Sequence, residues 1–120
     1  MLNKTAAIYS ELYGQTDKRV CKVKHKIASL FLTDDKLPEA LKNFRQVEEM
    51  ERLIYGDSSA EVARTLKIIG TLFIVTDEIS EARDYLMEAH QIFEQRGLIK
   101  SLKEVKTKLK DIHQSIKAAA

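Results

Sequence analysis

The side chains able to do covalent or metal chemistry are few and scattered. His25, His90 and His113 fall in three separate segments and do not assemble into a metal-ligand set. Cys21 is the only cysteine, so no disulfide forms within the chain and a reducing, cytoplasmic setting is expected. Lys22 beside it would favour a reactive thiolate, but a half-buried structural thiol is the expectation. Asp34-Asp35 and Asp77-Glu78 look like paired acids for general acid–base work. Each pair lies at a break between helical segments, where such residues serve as turns and caps. No phosphate-cradling glycine loop and no nucleophile elbow occurs. The chain is therefore expected to be no enzyme, with no cofactor and no metal.

What remains is charge. The net charge is only +2, yet residues 1–30 carry six basic and two acidic side chains, residues 31–96 eight and fourteen, and residues 97–120 six and two. The basic groups Lys18, Arg19, Lys22, Lys24, His25 and Lys26, then Arg64 and Lys67, belong to two similar segments. Glu39, Glu48, Glu49 and Glu51, then Glu81, Asp84, Glu88 and Glu94, belong to the segments that follow each of them. An acidic middle and the absence of tryptophan argue against nucleic acid, which needs a broad basic field and stacking aromatics.

The elements that carry these charges are helices. Val20, Val23, Ile27, Leu30 and Phe31 recur at spacings of three and four over 17–33. Thr33-Asp34-Asp35 breaks the pattern, and Pro38 suits the first turn of a second helix running to Tyr55-Gly56. Gly56 is a natural stop, and Asp57-Ser58-Ser59 is placed to cap a third helix. That helix carries Val62, Leu66, Ile69, Gly70 and Phe73 on one face and breaks at Thr76-Asp77-Glu78. Ser80 is expected to cap the fourth, with Ala82, Leu86, Ala89 and Phe93 as its stripe and Gly97 as its end.

A shift of 42 superposes these segments. Tyr13-Gly14 returns as Tyr55-Gly56, Leu30-Phe31 as Leu72-Phe73, Asp35 as Asp77 and Glu39-Ala40 as Glu81-Ala82. A fixed period of this size marks stacked helical hairpins that share one continuous core. The expected architecture is all-α, an α-α superhelix of antiparallel helix pairs. Residues 15–56 and 57–97 form the two repeats. Residues 1–14 read as the tail of a preceding repeat helix or as an N-terminal capping helix. Residues 98–117 read as a C-terminal capping helix, with Leu98, Leu102, Val105, Leu109, Ile112 and Ile116 forming a heptad-like seam. That seam suits packing on the preceding helix, with self-association or docking to another helix as the alternative. No apolar run approaches the ~18 residues of a membrane span, so no membrane partner is expected.

Within each unit a small residue is followed three, twelve, sixteen and nineteen positions later by Phe, Ala, a large apolar residue and a smaller one. These are Gly70, Phe73, Ala82, Leu86 and Ala89 in one unit, and Ala28, Phe31, Ala40, Phe44 and Val47 in the other. Small residues let two helices approach at ~8–10 Å. This pattern resembles the tetratricopeptide repeat. The 42-residue spacing and Leu53-Ile54-Tyr55-Gly56-Asp57, followed by Glu61-Val62-Ala63, are similar to the kinesin light chain format of that family. The paired asparagines usual before the small residue in that format are replaced here by Lys67-Ile68-Ile69 and His25-Lys26-Ile27. Neither the asparagine contacts to peptide backbone nor the carboxylate clamp of chaperone-binding members is therefore expected.

The resemblance implies that first helices line a concave groove and second helices form its back. The groove would then expose Lys22, His25, Ser29 and Leu32, then Arg64, Lys67, Thr71 and Ile74. Aligning Val105 with Leu66 adds Lys103, Lys106, Lys110 and His113. Such a basic column would hold an acidic protein segment, extended or helical, by charge-assisted contacts. The expected function is a non-catalytic protein–protein interaction module, a scaffold or adaptor. The alternative is a structural brick locked into a cytoskeletal or ciliary assembly.

Overall fold

The computed structural model describes residues 17–119, with side chains described to residue 114. The readings of residues 1–14 and of the Ile116 side chain lie outside the described residues. Among those described, all regular structure is helical: α1 (Lys18–Thr33), α2 (Leu37–Tyr55), α3 (Ala60–Val75), α4 (Ile79–Arg96) and α5 (Ile99–Ala119). Two compact units result, one ending at Asp57 and the other beginning at Ser58. The first pairs α1 with α2; the second joins α3, α4 and α5.

In the first unit the Asp17 carboxylate accepts the Arg19 backbone N–H at 2.7 Å and caps α1. The buried face of α1 is Val20, Cys21, Ile27 and Ala28, rotated from the expected stripe. Leu30 is exposed and Val23 and Phe31 are half-buried, because α2 covers the flank carrying Cys21 and Ala28. Val20, Cys21, Val47 and Met50 form one apolar cluster, with Ile54 against it. Gly56 stops α2 at φ 97 and ψ 156, a conformation open in practice only to glycine.

In the second unit the Ser59 hydroxyl caps α3 by accepting the Val62 N–H at 3.2 Å. The Arg96 side chain, at the far end of α4, donates to the Ser58 carbonyl at 2.8 Å and ties the end of this hairpin to its beginning. Gly70 is where α3 and α4 come closest. A Cβ there would stand 2.8 Å from Leu86 Cγ and 3.3 Å from the Ala82 carbonyl oxygen. Gly70 is thus wedged against the neighbouring helix, as the repeat register requires.

α1 and α3 end in the same six-residue turn. Asp35 and Asp77, 42 positions apart, take the left-handed conformation at φ 60 and φ 63. The next residue's N–H reaches back to the helix: Lys36 to the Phe31 carbonyl and Glu78 to the Phe73 carbonyl, both at 2.8 Å. This is a Schellman closure with aspartate where glycine is commonest. Gly97 closes α4 in the same way, with the Leu98 N–H on the Phe93 carbonyl at 3.0 Å. The paired acids are therefore turn residues.

One capping expectation is corrected. Ser80 lies inside the first turn of α4, and the capping position belongs to Glu78, which makes no side-chain cap bond. The Schellman turn leaves the chain already poised to re-enter a helix, and the Glu78 carbonyl accepts the Ala82 N–H at 3.0 Å. α5 packs chiefly on α4 and touches α3. Val105 and Ile112 are buried, while Leu102 and Leu109 stay half-buried.

Candidate functional site

The first unit contributes one turn-by-turn column on α1. Lys22 is exposed. His25 is half-buried, its ring edge-on to Phe44 of α2 with centroids 5.5 Å apart. It therefore packs inside the hairpin rather than standing free toward a ligand. Ser29 is half-buried, and its carbonyl accepts the Thr33 hydroxyl at 3.0 Å. Leu32 is exposed.

In the second unit, Arg64 on α3 is exposed. Lys67, one turn on, already has a partner: its ammonium donates to Glu104 of α5 at 2.7 Å. That contact holds the Glu104 carboxyl below its ordinary value, first through the hydrogen bond and then through the Lys67 charge, with smaller help from Lys100 and Lys108. Thr71 is also engaged, its hydroxyl donating to the Lys67 carbonyl at 2.8 Å. Ion pairing across 37 residues leaves no mark in helical periodicity, so the sequence shows Lys67 as free. Of Arg64, Lys67 and Thr71, only Arg64 is exposed and outside any side-chain bond among the described residues.

On α5, Lys103, Lys106 and Lys110 are all exposed. The Lys67–Glu104 bond fixes which flank of α5 meets α3. By helix spacing, Lys103 and Lys110 then lie on the face turned away from α4, while Lys106 and His113 lie on the flank away from α3. Among the described residues no carboxylate comes within ion-pairing distance of Lys22, Arg64, Lys103, Lys106 or Lys110. These cations are held out in water by ordered helices.

Cys21 is buried, and burial pushes its thiol up to about 11, with the nearby Glu51 carboxylate adding to the effect. A thiol so placed stays protonated and unreactive. No group of three His, Cys, Asp or Glu residues able to hold a metal occurs among the described residues, and no helix among them is long and apolar enough to cross a membrane.

No protein-family model matches the chain, and no curated protein sequence matches it. Solved structures do. The chain is similar to BtubC (BKLC) from P. vanneervenii, with a TM-score of 0.67 at 15% identity over 97% of its own length. The fold class is an all-α superhelix. The chain spans about half of the BtubC chain, 55% of its length. At that identity the likeness concerns backbone architecture alone. The exposed cations are features of this sequence.

Proposed function

We propose that this chain is a non-catalytic protein–protein interaction module of the tetratricopeptide type, in the 42-residue kinesin light chain-like format. Its first-helix faces receive an acidic segment of a partner protein. The helical-repeat fold, the wedge at Gly70 and the paired Schellman turns support the repeat assignment. The observation that carries the functional reading is the set of exposed cations Arg64, Lys103 and Lys110, outside any intramolecular ion pair among the described residues. Lys22 extends the same character to the first unit. Lys67 has a structural part, and Thr71 and His25 a packing one.

The test reverses the charges that carry no internal bond. Arg64→Glu, Lys103→Glu and Lys110→Glu together are expected to leave helicity and melting temperature unchanged. They should weaken binding of a glutamate-rich peptide free of apolar residues by at least about tenfold at low salt. Unchanged affinity would remove the reading. Salt-insensitive binding through the outer faces of α2 and α4 would favour a structural brick instead.

A further inference from the structure

The second unit carries a feature that a charged column does not explain. Arg83 and Met87 of α4, with Leu109, Ile112 and His113 of α5, line an open groove of about 210 Å³. Its lining is apolar at Met87, Leu109 and Ile112 and also carries Arg83 and His113, with no acid among these residues. Met87 itself is 51% exposed.

The position of the groove on α5 says what fits it. Val105 of α5 corresponds to Leu66 of α3, so Lys106 stands where Lys67 stands and Leu109 where Gly70 does. On α3, Lys67 takes the Glu104 carboxylate of α5. On α5, Lys106 lies on the flank away from α3, one turn before Leu109, on the side where the groove opens. α5 thus presents a lysine at the position from which Lys67 of α3 reaches a carboxylate of another helix. On α3 that lysine is answered by a glutamate. On α5 no carboxylate among the described residues answers Lys106. Leu109 in place of glycine also keeps an incoming helix from the close approach that α4 makes on α3. The seat suits a helix at ordinary packing distance.

We infer that the groove between α4 and α5 docks an amphipathic helix of a partner protein, its apolar stripe seated on Met87 and Leu109. Glutamate or aspartate flanking the stripe meets Lys106, Arg83 and His113. The contact differs from the basic column in needing apolar burial as well as charge. Either can exist without the other.

The probe is a synthetic helix-forming peptide with a leucine stripe flanked by glutamates, titrated into the full chain labelled with 15N. A second peptide carries lysines in place of the glutamates. Shift changes are expected to gather at Met87, Leu109 and His113 with the glutamate peptide only. The double variant Arg83→Glu, Met87→Glu alters exposed side chains, and unchanged helicity and melting serve as its folding control. It should weaken that binding by about tenfold or more, whereas Arg64→Glu, Lys103→Glu, Lys110→Glu should leave it within about twofold. Equal binding of the lysine peptide would reduce the groove to a sticky surface and overturn the inference. Shifts confined to Arg64, Lys103 and Lys110 would overturn it in favour of the column. Concentration-dependent self-association that the double variant abolishes would assign the seat to a second copy and likewise overturn it.

Discussion

At Gly70 two effects oppose each other. Alanine improves the intrinsic helix propensity of α3 by about 0.5–1 kcal/mol. Its methyl would meet the branch carbon of fully buried Leu86 and the Ala82 carbonyl, and overpacking of this kind costs about 1–3 kcal/mol. Packing wins, so Gly70→Ala should destabilise the chain by about 1 kcal/mol in urea denaturation. At Cys21 burial governs. A thiol reagent at neutral pH should label it only at the rate of local or global opening, and fast labelling of the native chain would contradict the packing of α1 on α2. At Glu104 the folded carboxyl titrates below its ordinary 4.5, so its contribution to stability is complete above that value. The contribution disappears as pH falls through the lowered value. Lys67→Met should move the Glu104 titration upward by NMR and flatten the acid limb of stability.

Among the elements, the two Schellman turns carry the repeat most plainly. A β-branched residue in the left-handed conformation costs about 1–2 kcal/mol, so Asp35→Val and Asp77→Val should each destabilise by about 1 kcal/mol, while the glycine variants should not. Two positions 42 apart should respond alike, which a chance resemblance of segments would not require. The helices were legible because each is punctuated by Asp, Ser or Gly and carries a stripe at helical spacing. Gly70 and Ala82 were legible because only small residues fit a close crossing. Ser80 misled because a hydroxyl at a helix start resembles a cap, while the backbone turn before it had already set the chain's entry. The face of α1 was misread by one flank, since Cys21 and Ala28 are too small to dominate a hydrophobic stripe. The contacts of His25 and Lys67 were hidden for a different reason. Their partners, Phe44 and Glu104, stand on other helices, and sequence distance hides them.

At the scale of the whole molecule, the order of basic and acidic segments along the chain proves to be an order of helices. Internal pairing draws on part of it: Lys67 with Glu104 and Arg52 with Glu48 and Asp57. Exposed Arg64, Lys103 and Lys110 lie outside those pairs, and exposed ion pairs elsewhere contribute little to folding. On the proposed function their arrangement bears on association more than on stability. The most direct measurement is the salt dependence of binding between the intact chain and a glutamate-rich peptide free of apolar residues. Binding at low ionic strength that falls steeply as salt is raised, with an unrelated lysine-rich peptide inert throughout, is the outcome expected of an exposed basic face. No binding of the acidic peptide at low salt, or binding indifferent to salt, would contradict it.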